Sequence, residues 1–147
     1  MSDTSALDFC LRLARAYAVL VRRLDNSLGN LHGISFSDFQ LLFYMERAPG
    51  GRLRRIDLAE RLGLTASGVT RTLLPLEKIG LVTRQSDPRD ARVGYAVLSA
   101  AGQNLLQDAQ ATARMICQEL LNDAVGDQLD VLATVLGQIA GMNLSNT

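Results

Sequence analysis

Residues 56–81 constrain the fold of this chain more than any other stretch, because they hold two short apolar repeats separated by a turn. The repeats, at the three- and four-residue steps of a helix, comprise Ile56, Leu58, Ala59 and Leu62, and then Val69, Leu73, Leu76 and Ile79. Gly63 follows the first repeat, where a left-handed glycine commonly ends a helix. Thr65 is placed to cap the second helix, and Gly80 to end it with Leu81 folding back on Leu76. The stretch therefore predicts helix, tight turn, helix.

The outer face of the second helix is small, polar and cationic, with Ser67, Gly68, Thr70 and Arg71. Two short helices with such a face on the second are typical of a helix-turn-helix. The alternative is a helical hairpin inside an all-α core, which is a common structure. The two helices by themselves do not decide between these interpretations, so the flanking chain has to.

The charges of the chain cancel overall but are unevenly distributed. Residues 47–92 hold ten Arg/Lys against five Asp/Glu, residues 1–46 hold four against five, and residues 93–147 hold one against five. The basic block contains the two helices and the segment after them, which is the pattern of a nucleic-acid-binding face on an acidic body. Fourteen of the fifteen cations are Arg, whose planar guanidinium suits phosphate and guanine.

The remaining composition excludes several other classes of protein. The 147 residues suffice for one domain with a sizeable core, since 48% are hydrophobic. No apolar run reaches the length of a membrane helix and the N-terminus lacks a secretion signal, so we expect a cytoplasmic protein. Cys10 and Cys117 form no CxxC pair and His32 is the sole histidine, so we expect no metal site and no cofactor. With neither a P-loop nor a GxSxG motif, the chain is not expected to be an enzyme.

The chain before the helix-turn-helix predicts two more helices. Residues 8–31 repeat apolar side chains at helical steps over an unusually long stretch, which Gly33 ends. A second helix is expected to start at Ser37, which has capping-box spacing to Gln40. It is strongly apolar and ends before Pro49.

Residues 52–55, with the sequence RLRR, leave two interpretations open. The alternation fits one short strand with Leu53 inward, and the other interpretation is a solvated basic loop. Both put three arginines beside the helix-turn-helix. Arg54 then stands at the N-cap of the next helix, where Ser, Thr or Asp is stronger.

A β-hairpin is expected directly after the helix-turn-helix. Two β-like segments, residues 81–84 and 93–98, flank a turn that starts at Asp87. The tip of this hairpin carries Arg89 and Arg92. A hairpin with a cationic tip after a helix-turn-helix is a winged helix, which favours DNA as the partner.

Two further helices are expected after the hairpin. Ser99 is placed to cap the first, and the second runs over residues 127–142 with a wide apolar stripe and few charges. Because the first helix of the chain is also long and apolar, the terminal helices suggest an interface with another subunit. The expected fold is mainly α with a small β-hairpin. It has a winged helix-turn-helix domain at residues 36–98 and dimerisation helices at residues 1–35 and 99–147.

In this order the elements resemble the MarR family of bacterial transcription regulators, over nearly the whole chain. The most specific part is Asp90-x-Arg92, then five residues, then Leu98-Ser99, which is similar to the family's D-x-R…L-T signature with Ser in place of Thr. Segments similar to the family's two central helices are Leu58-Ala59-x-Arg61-Leu62, then Val69-Thr70-Arg71 and Leu76-Glu77-x-x-Gly80-Leu81-Val82. Pro75 departs from the pattern, and we expect a bent C-terminal half of that helix with the DNA-contacting face intact.

The resemblance implies an obligate homodimer whose terminal helices intertwine and whose two winged helices bind a pseudo-palindromic double-stranded DNA operator. Family members mostly repress transcription, and many release DNA on binding a small, often phenolic or anionic, ligand. A subset senses oxidants through a cysteine, and Cys10 lies near that position. The alternatives are therefore a thiol-based sensor and a dimeric winged-helix module that binds protein.

We assign base readout to Ser67, Thr70 and Arg71, with Gly68 allowing the backbone to approach DNA. The alternative for Arg71 is contact with phosphate only. Supporting phosphate contacts are assigned to Arg52, Arg54, Arg55 and Arg84.

In the hairpin, Arg92 is assigned to a minor groove or a phosphate, held in line by Asp90, and Arg89 is a more mobile contact. The alternative is an Asp90–Arg92 pair that only rigidifies the hairpin.

The resemblance places the ligand site where the dimer helices meet the winged domain. Residues that suit its wall by position and chemistry are Tyr17, Arg23, Phe39, Phe43 and Tyr44. The alternative is core packing for the aromatic residues and a surface position for Arg23. For Cys10 the alternative to a redox role is a small buried hydrophobic residue.

Overall fold

The computed structural model describes residues 3–122 and 124–141. In these residues the elements are α1 (Ala6–His32), α2 (Phe36–Arg47), β1 (Arg52–Arg54), α3 (Arg55–Leu62), α4 (Ala66–Lys78), β2 (Val82–Ser86), β3 (Gly94–Leu98), α5 (Ala100–Leu121) and α6 (Leu129–Ile139), with 3-10 turns at Pro49–Gly51 and Gly126–Gln128. The prediction of a mainly helical winged helix-turn-helix is confirmed. No helix in the described ranges is long and apolar enough to cross a membrane.

Helix α2 starts at Phe36 because Ser35 caps it. The Ser35 hydroxyl accepts a hydrogen bond from the Asp38 amide at 3.0 Å, and the Asp38 carboxylate accepts one from the Ser35 amide at 2.9 Å. The predicted box between Ser37 and Gln40 is therefore wrong, since an aspartate three residues after the cap closes the box in place of a glutamine. The same arrangement starts α1.

The helix-turn-helix, α3 and α4, has the ends that its residues predict. Arg54 is the N-cap of α3 without a side-chain cap, and its Nε donates to Asp57 in the first turn at 3.1 Å. Gly63 ends α3 in the left-handed conformation, with φ 64°. Thr65 caps α4 by accepting a hydrogen bond from the Gly68 amide at 3.1 Å.

Helix α4 continues through Pro75 to Lys78. It ends in the predicted Schellman arrangement: the Leu81 amide donates to the Leu76 carbonyl at 3.0 Å, and Gly80 has φ 81°. Pro75 thus does not end the helix, and the bend expected beyond it stays a prediction.

The strands form one antiparallel sheet in the order β1-β3-β2. β2 and β3 are the predicted hairpin, with Val82 opposite Leu98. Residues 52–54 form the strand and not the loop, because Leu53 pairs with Ala96 and is buried. β3 is therefore the central strand, and β2 lies at an edge.

The core lies between the second half of α1, α2, the helix-turn-helix, the sheet and α5. Its fully buried side chains include Leu24, Leu28, Leu41, Leu42, Met45, Leu58, Val69, Leu76, Val82 and Leu106. Two residues predicted to face this core do not, since Ile56 and Ile79 are 67% and 64% exposed. Ile56 precedes the buried Leu58 by two residues and so lies on the opposite side of α3. Ile79 is the C-cap of α4, where helical spacing no longer applies.

The turn between α4 and β2 is fixed to the start of α5. Ser99 caps α5 as predicted, accepting from the Gly102 amide at 3.0 Å, and its hydroxyl donates to the Gly80 carbonyl at 2.6 Å. Its amide donates to the Leu81 carbonyl at 3.0 Å. A Cβ on Gly102 would overlap that carbonyl oxygen, so α5 and the turn meet backbone to backbone only because residue 102 is glycine.

Two apolar surfaces are uncovered in the single chain. They comprise Leu7, Phe9, Leu11 and Tyr17 in the first half of α1, and Leu129, Val131, Leu132, Val135, Leu136 and Ile139 in α6. The apolar stripe predicted for the last helix is thus exposed along α6. Met142, its predicted last residue, lies outside the described residues.

Candidate nucleic-acid interface

The exposed front of α4 begins with short hydrogen bonds at its N-terminus. The Thr65 hydroxyl caps the Gly68 amide and lies 3.2 Å from the Ser67 hydroxyl. A Cβ on Gly68 would lie 3.3 Å from Thr65 Oγ1 and 3.6 Å from the Leu64 Cβ. Glycine here leaves room for the cap, while the approach of its backbone to DNA stays a prediction.

Arg55 of α3 adds a cation to the front of α4 through Thr70. Arg55 Nη1 donates to Thr70 Oγ1 at 3.3 Å, and the Thr70 hydroxyl donates to the Ala66 carbonyl at 3.1 Å. The next residue, Arg71, is exposed and has no hydrogen bond or ion pair of its side chain within residues 3–122 and 124–141. The front of α4 therefore presents one guanidinium held in place and one free of internal partners.

Two aspartates shape the tip of the wing, which comprises β2, β3 and residues 87–93 between them. Asp87 Oδ1 accepts from the Arg89 amide at 2.7 Å, and Asp90 Oδ1 accepts from the Arg92 amide at 3.0 Å. The Asp90 carboxylate also accepts from Arg92 Nε at 3.0 Å and Nη2 at 3.2 Å. The Asp90–Arg92 pair is thus formed, yet the Arg92 side chain stays 91% exposed, so the pair leaves its guanidinium open to a ligand.

The pKa values of both aspartates lie below the ordinary 3.8. For Asp90 the main cause is the hydrogen bond from the Arg92 side chain, followed by that from the Arg92 amide. For Asp87 it is the hydrogen bond from the Arg89 amide, to which the Tyr95 hydroxyl adds. Because these bonds favour the charged carboxylate, both turns are in place at neutral pH.

A row of side chains connects β1 to the tip of the wing. The guanidinium carbon of Arg52 lies 4.2 Å from the centroid of the Tyr95 ring, and Arg52 Nη1 donates to Gln85 Oε1 at 3.3 Å. The Tyr95 hydroxyl donates to Asp87 Oδ2 at 3.2 Å. The sequence predicts neither Gln85 nor Tyr95 as a site residue. They are identified by the register of the hairpin, which places Gln85 opposite Tyr95. Arg52 therefore braces the wing.

Other arginines assigned to phosphate also have partners within the chain. Arg54 Nε lies 3.1 Å from Asp57 Oδ2, and Arg84 Nε lies 2.8 Å from Glu77 Oε1. Among the wing cations in the described part of the chain, Arg89 is the one whose side chain has no partner. The structure thus places the predicted cations on the helix-turn-helix and the wing, and most of them form hydrogen bonds or ion pairs with other side chains of the same chain.

The residues assigned to a ligand site fall into separate places. Arg23 of α1 forms an ion pair with Glu119 of α5 at 2.7 Å. Phe39 is buried and stacks on Phe43, with ring centroids 5.9 Å apart, and Phe43 meets Tyr44 edge to face, with centroids 5.8 Å apart. The aromatic residues of α2 thus contact one another, while Arg23 links α1 to α5.

Tyr17 and Cys10 line a different groove, between α1 and α6. It has a volume of about 410 Å³ and is also lined by Leu136 and Ile139. Cys10 is exposed in the single chain, whereas Cys117 is half-buried and burial raises the pKa of its thiol. The groove lies between the two uncovered apolar surfaces of α1 and α6, so access to Cys10 depends on what covers them.

Comparison with known proteins points to one family. Residues 32–93 match a family model described as MarR family, which covers the helix-turn-helix and the wing up to its tip. A curated relative is YdgJ of Bacillus subtilis (strain 168), described as an uncharacterized HTH-type transcriptional regulator. It is 26% identical over 114 residues, which are 78% of this chain and 68% of the relative.

Solved structures share the fold over nearly the whole chain. Sco3205 of Streptomyces coelicolor, a MarR family transcriptional regulator in complex with DNA, superposes with a TM-score of 0.83 at 24% identity, covering 95% of this chain and 89% of the other. CouR of Rhodococcus jostii RHA1, bound to p-coumaroyl-CoA, superposes with a TM-score of 0.81 at 23% identity, covering 95% and 96%. Both matches include the terminal helices that lie outside the family model.

Proposed function

We propose that this chain is a winged helix-turn-helix transcriptional regulator of the MarR family, whose model matches residues 32–93, and that it is a cytoplasmic homodimeric repressor released from a pseudo-palindromic operator by a small ligand. In this proposal residues 36–98 bind DNA, and residues 1–35 and 99–147 form the subunit interface. The family consists of regulators and not of enzymes.

The observation that carries the proposal is the state of Arg71 on α4. Its side chain is exposed and free of internal partners within the described ranges, and it adjoins the hydroxyl-bearing Ser67 and Thr70. A free guanidinium on a helix in the major groove can donate two hydrogen bonds to O6 and N7 of guanine. We therefore assign base readout to these three residues, with Gly68 at the point of closest backbone approach.

The phosphate contacts surround this front. Arg54 and Arg55, at the start of α3, lie beside α4, where the Arg55–Thr70 hydrogen bond holds one of them. In the wing, Arg89 and Arg92 reach the groove or phosphates that flank the site bound by α4. Arg92 keeps its direction through Asp90, since that pair leaves most of its side chain exposed.

The two uncovered apolar surfaces support the homodimer. Six apolar side chains of α6 and several in the first half of α1 are exposed in the single chain. Exposed apolar area of this extent on adjoining elements is typical of a subunit interface. A second copy of the chain covers both surfaces at once and places two winged helices side by side, as a two-fold operator requires.

Release by a ligand is supported by CouR, a protein of the same fold that binds p-coumaroyl-CoA. We assign the ligand to the region where α1, α2 and α5 meet, with Arg23 as the cation that would bind it. Tyr17 is not part of this site, since it lies in the groove between α1 and α6. An anionic ligand there competes with Glu119 for Arg23, since that ion pair already spans α1 and α5. The ligand thereby alters the packing that positions the DNA-binding domain.

Selection of duplexes from a random-sequence library by the purified protein tests this function. We expect two similar half-sites in opposite orientation, about one helical turn apart. Affinity for the selected duplex is expected to fall steeply with salt, because arginines displace counterions from phosphates. Recovery of no preferred sequence, or affinity independent of salt, would contradict the proposal.

Replacing Arg71 with Ala tests base readout. The loss on the selected duplex is expected to be about 1–3 kcal/mol, or roughly 5- to 150-fold in Kd, because a bidentate guanine contact is removed. On a scrambled duplex the loss is expected to be much smaller. Arg89→Ala is the matched control and weakens binding to both duplexes equally; an equal loss for Arg71→Ala would rule out base readout.

A further inference from the structure

Arg84 is assigned to phosphate from sequence, but its position between α4 and β2 points to another role. Its Nε lies 2.8 Å from Glu77 Oε1, and the side chains are 52% and 19% exposed respectively. The hydrogen bond that Arg84 donates to the Glu77 carboxylate, and the negative charge of that carboxylate, raise the pKa of Arg84. The carboxylate that holds Arg84 is thus the more enclosed of the two groups, and it belongs to the helix that reads DNA.

Strand β2 needs such a link because it is an edge strand. Among the residues that the structure describes, β3 is its only neighbour in the sheet, so backbone hydrogen bonds hold β2 on one side only. In the described part of the chain, the bond from Arg84 to Glu77 is the only side-chain hydrogen bond between β2 and α4. Arg89 lies five residues further along the wing, and at roughly 3.3 Å per residue a small rotation at Arg84 displaces the tip by a much larger distance.

Glu77 also needs a cation where it stands. It is the penultimate residue of α4, where the negative end of the helix dipole disfavours a carboxylate. Pro75, two residues earlier, has no amide to donate to the Arg71 carbonyl, so the last turn of α4 has fewer internal bonds. A contact from β2 therefore stabilises this end of α4 as well as the base of the wing.

We propose that Glu77 and Arg84 form a clamp that sets the position of the wing relative to α4, and that Arg84 is a positioning residue instead of a phosphate contact. This rests on the DNA-binding function proposed above. With α4 in the major groove and the wing at the flanking DNA, the clamp sets the distance between the two contacts.

The test compares four variants on the selected duplex: Glu77→Ala, Arg84→Ala, the double variant, and the exchange Glu77→Arg with Arg84→Glu. The clamp predicts that each single change weakens binding by about two- to fivefold, that the double variant is no weaker than either, and that the exchange restores part of the loss. The dependence of affinity on salt stays unchanged. Hydroxyl-radical footprints lose protection at the flanks and keep it at the centre of each half-site.

A phosphate contact predicts a different outcome. Arg84→Ala then lowers the salt slope by about one, and Glu77→Ala strengthens binding because it removes a negative charge and frees the arginine. Either result, or additive losses in the double variant, overturns the clamp. The matched control is Arg54→Ala, since Arg54 pairs with Asp57 in the first turn of α3 and not with the wing; it lowers the salt slope and leaves the flanking footprint intact.

Amide hydrogen exchange in the free protein provides a measurement that does not depend on DNA. In both single variants, the amides of β2 are expected to exchange faster than in the wild-type protein. In the charge-swapped variant, Glu77→Arg with Arg84→Glu, their slow hydrogen exchange is expected to return. Unchanged hydrogen-exchange rates in β2 overturn the clamp, whether or not the protein binds DNA. Failure of the wild-type protein to select a duplex refutes the proposed function and leaves this measurement of the clamp valid.

Discussion

Gly102 is the residue at which α5 meets the turn between α4 and the wing. The Leu81 carbonyl oxygen accepts a hydrogen bond from the Ser99 amide, and it occupies the space in which a side chain at position 102 would lie. Ser99 completes the junction by bonding the Gly80 carbonyl. The helix-turn-helix and the wing are therefore joined to α5 through backbone atoms, which have little freedom to adjust.

Replacing Gly102 with Ala is expected to lower the free energy of unfolding by about 1–3 kcal/mol, because the added methyl group forces backbone to move. The matched control is Gly29→Ala in α1, where a Cβ meets nothing within 4 Å. That change is expected to raise stability by about 0.5–1 kcal/mol through helix propensity. Urea denaturation at one protein concentration measures both, and equal stabilities for the two variants would refute the close contact.

The wing is stabilised at its tip, along its face and at its base by different side chains. Asp87 and Asp90 close the turns at the tip, and Arg52 braces the face through Tyr95. Arg84 binds Glu77 at the base. An edge hairpin of five-residue strands gains its fixed orientation from these contacts, because its backbone ladder restrains it on one side only.

The turns at the tip are expected to depend on pH. The folded pKa values of Asp87 and Asp90 are depressed below 3.8. Their stabilisation is therefore complete above the unfolded value near 3.8 and is lost as pH falls through the lower folded values. NMR shifts of the Arg89 and Arg92 amides should follow this loss.

Asp90→Asn serves as the control for that titration. It should abolish the transition at the Arg92 amide and leave the transition at Arg89 in place. Midpoints at or above 3.8 would show that neither carboxylate is stabilised in its charged form.

The whole molecule is polarised between a basic helix-turn-helix and wing and an acidic C-terminal segment. Residues 47–92 hold ten cations and five anions, whereas residues 93–147 hold one cation and five anions. The apolar side chains of α6 and the first half of α1 are exposed in the single chain. In the proposed homodimer, association through these apolar side chains leaves the basic helix-turn-helix and wing of each subunit exposed.

Replacing Leu136 with Glu is expected to dissociate the proposed dimer, because the charge would enter an apolar interface. Operator affinity should fall by about 100-fold or more, since the two half-site contacts are no longer linked. Thr134→Glu, on the opposite side of α6, is the control and should leave the dimer intact. Light scattering after gel filtration measures the mass, and a Leu136→Glu protein that stays dimeric would place the interface elsewhere.

Much of this fold follows from local patterns. Gly63, Thr65 and Ser99 end or start helices where their chemistry predicts, because capping involves residues only a few positions apart. The same kind of reasoning predicts the wrong start for α2, because Ser35 and Ser37 both carry a hydroxyl that could cap the helix. The carboxylate of Asp38 decides between them.

By itself the sequence determined the order of the elements, the basic block and the residues that are candidates for DNA, since periodicity, caps and charge are properties of neighbouring residues. The tertiary structure decided which partner each arginine has. Arg55 meets Thr70 and Arg84 meets Glu77 only because α3 packs on α4 and β2 follows a tight turn. Such contacts depend on how helices and sheet are oriented, which no local pattern encodes.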